Sequence, residues 1–173
     1  NGVTSAISTP SETSFPIFGL GSHFILDGSL EIKGSKDIAM FGRLGASYGS
    51  RAETLSLLES LLDIGKMANS MPVEEILELN IADQLELQAQ DIIALGKVVN
   101  EDMPLVIETN RAVDILQALA MKQKYGLNLV LVSVEEAPMV LDQIKASNTP
   151  VIIDPMDNIP NSFDELGSSL DLG

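Results

Sequence analysis

At 173 residues, 45% hydrophobic and 20% charged, the chain is long enough to bury one substantial core and too apolar to stay disordered. Ten basic against 25 acidic residues give a net charge of −15, which repels phosphate backbones and anionic lipid and argues against nucleic-acid and membrane-surface roles. There is no cysteine and one histidine, His23, so a disulfide framework and a thiolate nucleophile are excluded, and a His-rich metal site or a Ser-His-Asp triad is short of parts.

Taken in chain order, the β-branched stretch 3–9 reads as a strand, followed by a Ser/Thr/Pro-rich loop over 10–15 and a glycine-containing stretch to Gly21. Residues 22–27 and 30–33 alternate well enough for a small hairpin around Asp27-Gly28, and the apolar run 38–41 reads as the next core strand. Gly42, Gly45 and Gly49 mark a loop. Ser50 then caps a helix over 51–70, with Leu55, Leu58, Leu62 and Met67 on one face. Shorter helices are expected over 72–79 and 91–99, the latter ended by Asn100. No apolar run approaches the ~20 residues of a membrane span.

From Pro104 the pattern becomes regular. A strand at 105–107 leads to a helix capped by Asn110 and stopped after Tyr125 by Gly126. A strand at 129–132 leads to a helix over 135–146, and a strand at 151–153 closes on Asp154-Pro155. These strands are unbroken apolar runs, as expected of a parallel sheet covered on both faces. The fold class is α/β, built of parallel β/α units. About five core strands plus a small hairpin fall short of the eight and ~250 residues of a closed (β/α)₈ barrel, so the chain reads as a partial, incomplete TIM-barrel arc or an open sheet. Asn1-Gly2-Val3 leads straight into a strand, and the acidic tail carries Leu166, Leu170 and Leu172. The expectation is one domain, 1–173, cut from a longer protein, with 155–173 an extended tail.

Specific residues carry a family resemblance. The run Leu105-Val106-Ile107-Glu108-Thr109-Asn110-Arg111-Ala112-Val113-Asp114-Ile115, a strand followed by a helix, resembles the amidohydrolase superfamily in its imidazolonepropionase-related branch, which has His-Ala-Asn-Arg-Ala-x-Asp-Ile there. Gly2-Val3-Thr4-Ser5 is similar to the strand after that branch's first metal motif, and 44–51 to its glycine-rich loop before a helix. The stretches 150–155 and 159–164 are similar to a later strand and loop, in the same order. The resemblance implies a metal-dependent hydrolase of C–N bonds in amides or cyclic amides, on a TIM barrel, with one or two divalent metals lowering the pKa of a bound water. It places a His-x-His pair before Asn1 and an Asp after Gly173. Glu108 stands where the branch has its fifth-strand His, and 133–136 offer no His for the sixth.

The candidate metal ligand is therefore Glu108, with an Arg-paired place at the sheet rim as its competitor. Asn110 and Arg111 are the candidate substrate contacts. Asn110 competes as a helix N-cap, and Arg111 as the ion-pair partner of Glu108 or Asp114. No catalytic residue is assigned; Asp154 at a strand end is equally a turn opener, and His23 is read as a surface or packing residue. The excerpt alone is expected to hold no cofactor and to be inactive by itself, with a divalent metal, zinc or similar, in the full-length parent. A small amide-type substrate is the parent's expected partner. Two alternatives stand beside this reading: a non-catalytic, diverged barrel domain with a binding or structural role, and an unrelated open α/β ligand-binding domain. The bare end strands of an arc predict self-association of the chain. Localisation is left open between a periplasmic setting, suggested by exported members of the branch, and a cytoplasmic one.

Overall fold

Strands that are apolar on both faces need cover on both, and the helices that follow them supply one of the two layers. The computed structural model describes residues 2–11, 13, 15–45, 49–153 and 165. Six strands form one sheet in sequence order: β1 (Ser5–Ser8), β2 (Ile17–Ile25), β3 (Lys33–Arg43), β4 (Leu105–Thr109), β5 (Leu129–Ser133) and β6 (Val151–Ile152). β1, β2 and β3 pair antiparallel, and β3 through β6 run parallel. The sheet is curled as half a barrel, in agreement with the expected arc.

The segments at 105–107, 129–132 and 151–153 are the side-by-side parallel neighbours that the β/α pattern requires. The N-terminal third differs from its reading. The expected small hairpin and the core strand at 38–41 are parts of two long strands, because β3 runs for 11 residues and only its last four pair with β4. The expected tight turn at Asp27-Gly28 is a longer loop: β2 and β3 stay paired only as far as Ile25 and Lys33, residues 26–32 connect them, and Gly28 within that loop has φ +81.

Register sorts the parallel strands into two faces. Gly42, Ile107, Leu131 and Val151 form one outer row, with Leu105 and Leu129 in the next. Leu105, Ile107, Leu129 and Leu131 are completely buried. They lie in one hydrophobic cluster with residues of α1 (Arg51–Met67), α4 (Ala89–Val99), α5 (Ala112–Tyr125) and α6 (Leu141–Ala146). Each such side chain contributes about 1.5–3 kcal/mol by leaving water. Ser50 caps α1 by accepting the Glu53 N–H at 3.1 Å, and Gly126 closes α5 at φ +70, both as the sequence indicates.

Other helix boundaries move. α1 stops at Met67 rather than 70, and the expected helix over 72–79 is α2 (Val73–Leu77) followed by a separate α3 (Asn80–Gln84). The expected helix at 135–146 opens instead as a 3-10 turn (Ala137–Val140), with Pro138 in its first turn, before α6. No described helix is long and apolar enough to cross a membrane.

α1 crosses α4 at Gly65 and Gly96. A Cβ on Gly65 would lie 2.7 Å from the Leu95 carbonyl oxygen, so the backbones touch where no side chain fits. In an exposed helix, Ala is better than Gly by about 1 kcal/mol. Here overpacking, about 1–3 kcal/mol, outweighs that gain. Gly65→Ala is therefore expected to lower the urea midpoint, and a raised midpoint would show that the crossing is loose.

The hairpin turn also has a pH signature. Asp27 accepts from Lys33 Nζ at 2.7 Å and from the Ser29 N–H at 2.9 Å. The Lys33 ammonium, first, and Ser29 pull its carboxyl from 3.8 down to about 2. A depressed carboxylate stabilises the fold above its ordinary value and loses that contribution as pH falls through the lowered one, so the window runs from near 4 down to about 2. An NMR carboxyl titration of Asp27 should show the low midpoint, and Lys33→Gln should move it back up.

Candidate functional site

Because β3, β4 and β5 are parallel, their carboxyl ends lie together at one end of the sheet, where α/β folds place ligands. Side chains on the face opposite the helices line up across the strands. Phe41, Val106 and Val130 form one inner row, and Arg43, Glu108, Val132 and Ile152 the next. A cleft of ≈ 640 Å³ opens over this face. Its floor is Phe41, Gly42, Val106 and Val132, its charged group is Glu108, and its far wall is Phe18 with Thr9, Pro10 and Ser11. Gly42 admits the β1–β2 connection, since a Cβ there would lie 2.2 Å from the Pro16 carbonyl oxygen.

Glu108 thus lies in the cleft, and its Oε1 accepts from Arg43 at 2.9 Å on the neighbouring strand. Arg43 also sits 5.9 Å from the Phe18 ring centre, in cation–π range. The Arg-paired place at the rim is the one the structure gives Glu108. Among the described residues no group of three or more His, Asp or Glu side chains is placed to share an ion. The donors present do not by themselves fit a metal centre, so Glu108 as a ligand would need others from outside them.

Asn110 does not cap α5. The cap position belongs to Arg111, which makes no side-chain cap, and the free Ala112 N–H donates instead to Glu136 Oε2 at 2.8 Å. Asn110 is only 9% exposed, and among the described residues neither its Oδ1 nor Thr109 Oγ1 has a hydrogen-bond partner. Arg111 pairs neither with Glu108 nor with Asp114: its Nε lies 3.2 Å from Glu136 Oε1. Asp114 is held instead by Arg51, whose Nε reaches both carboxylate oxygens at 3.0 and 3.2 Å. Neither Asn110 nor Arg111 lines the cleft. His23 lies on β2, paired with Ile7 and Ser35, away from these strand ends. Asp154, the loop residues 46–48 and all of the 155–173 tail except Glu165 lie outside the described residues.

The sequence reading missed Glu136, the most connected residue here. Besides its carboxylate contacts, its N–H donates to the Asn110 carbonyl at 2.8 Å. Two residues earlier in the loop, the Val134 N–H donates to the Thr109 carbonyl at 3.0 Å. Ser133 and Val134 both hold positive φ, 71 and 52, to make this turn. No motif announces such a residue, because its partners are 24 to 26 positions away. Glu136→Ala, which removes a cap and a half-buried ion-pair partner together, is expected to cost about 1–3 kcal/mol in denaturant unfolding and more than Asn110→Ala. The reverse order would restore Asn110 as the cap.

No family model matches the chain, and no curated protein matches its sequence. Among solved structures, that of an amidohydrolase from Thermotoga maritima MSB8 superposes with a TM-score of 0.77 at 19% sequence identity. The match covers 97% of this chain and 46% of the other, so the chain spans about half the length of that structural relative. At this identity the likeness is one of fold.

Proposed function

We propose that the chain forms roughly half of an amidohydrolase-like barrel and lends its cleft to the site for a small amide-type substrate. The observation that carries this reading is the position of Glu108. It stands at the carboxyl end of a parallel strand, inside the cleft, and the resemblance to the imidazolonepropionase-related branch would put a metal ligand at this position. In this reading Glu108 is one oxygen ligand to a divalent metal whose other ligands lie outside the described residues. Asn110 and Arg111, at the end of the same strand, would reach substrate only from the rim, since neither lines the cleft. The metal, when bound, would supply an acidified water and a polarised amide carbonyl.

The Arg43–Glu108 contact favours a second reading, a diverged domain that binds without catalysis. A carboxylate facing a guanidinium at 2.9 Å is already charge-compensated and has less to offer a cation. The two readings part on the natural protein that contains this chain. Stoichiometric divalent metal by elemental analysis, with hydrolysis of N-acyl or cyclic amides, is expected of the first and would end the second. In that case Glu108→Ala should lower metal occupancy and activity together. A protein without metal or hydrolysis, whose cleft still binds a small ligand, would end the first.

A further inference from the structure

Arg43 and Glu108 meet at the cleft from adjacent strands. They are register partners on β3 and β4, at the carboxyl ends and on the face turned away from the helices, so a barrel completed by further strands keeps both at its ligand-facing end. Arg43 Nη2 donates to Glu108 Oε1 at 2.9 Å, and the Phe18 ring on β2 backs the guanidinium at 5.9 Å. The two side chains are only 20% and 30% exposed. Among the described residues Arg43 is the hydrogen-bond partner of Glu108, so Oε1 is engaged and Oε2 is the atom left for the cleft.

We infer, within the reading in which the cleft binds without a metal on Glu108, that Arg43 is a positioning residue: by holding Oε1 it makes Glu108 a one-sided acceptor whose Oε2 takes the N–H of a small neutral secondary amide. An ionised carboxylate accepts hydrogen bonds and donates none, so an N–H is the amide group it can recognise. The cleft floor of Phe41, Val106 and Val132 offers no rival side-chain donor, and a hydrogen bond gains strength in such apolar surroundings. Charge selects a neutral donor over an ammonium. Guanidinium and carboxylate cancel locally, and acids farther off than ~8 Å are screened by physiological salt.

Calorimetric titration of the natural protein that contains this chain tests it, with δ-valerolactam and N-methyl-δ-valerolactam as probes. The ring fixes the amide geometry in both, so they differ at the N–H alone. The N–H lactam is expected to bind about tenfold more tightly, the strength of a hydrogen bond to a charged group. Glu108→Gln should erase that ratio, because Arg43 keeps the side-chain oxygen and turns the NH2 donor toward the ligand. Adding Arg43→Met to Glu108→Gln frees the side-chain amide to turn, and should bring back a preference of about threefold, as for a neutral acceptor. A merely structural Arg43 would give no such recovery. Should the double variant not fold, Glu108→Gln decides alone. Equal affinity for the two lactams, or a ratio that Glu108→Gln leaves unchanged, would overturn the inference while leaving the cleft an amide site. Binding of neither lactam, or stoichiometric metal lost in Glu108→Ala, would overturn it together with the reading it rests on.

Discussion

The structure depends on burying one face of a parallel sheet under helices. Leu105, Ile107, Leu129 and Leu131 alternate along adjacent strands, and register brings them into rows that α1, α4, α5 and α6 cover. Parallel strands cannot be joined by a tight turn, so each connection must run the length of the sheet, and a helix is the segment that satisfies its own backbone on the way. Helix cover on the outside leaves the inside to other partners. Buried Val106 with half-buried Phe41, Val130 and Val132 forms the concave face, the interior that a closed barrel would fill from the opposite strands.

A second kind of contact ties the successive units together at their ligand-facing end. The chain has three arginines, and all three bridge from one unit to a carboxylate on another. Arg43 of β3 holds Glu108 of β4, Arg51 of α1 holds Asp114 of α5, and Arg111 before α5 meets Glu136 after β5. These pairs are partly shielded from solvent, and the Arg51 Nε–H is shared between both oxygens of the buried Asp114 carboxylate. Loops at the carboxyl ends of parallel strands have no ladder of their own. Here side-chain carboxylates and the carbonyls of Thr109 and Asn110 take that role. The same arrangement occupies the acid in the cleft, since Glu108 already faces the Arg43 guanidinium.

The first three strands follow different rules. β1, β2 and β3 pair antiparallel, and beyond the point where β4 begins opposite Met40 the exposed Ile7, Leu26, Leu30 and Ile32 lie outside the helix-covered core. Nearer the strand ends the same three strands do join the rest of the sheet, since Ile17 and Leu20 pack against the core and Phe18, with Thr9, Pro10 and Ser11, walls the cleft.

Much of this was legible in the sequence. Unbroken apolar runs at 105–107, 129–132 and 151–153, with Ser50 and Gly126 as stop signals, sufficed for parallel β/α units, since period and capping are local properties of the chain. The residues around Glu108 sufficed to place it at a strand end. What only the tertiary structure decided were the long-range matters. The hairpin and the 38–41 strand merged into two long strands because β2 and β3 stay paired past the parallel sheet. The cap of α5 passed from Asn110 to Glu136, and Arg111 took Glu136 rather than Glu108 or Asp114, because curvature brings the β5 loop over the end of β4. Side-chain partners separated by tens of residues are selected by where the sheet places their backbones, and no local pattern in the chain encodes that.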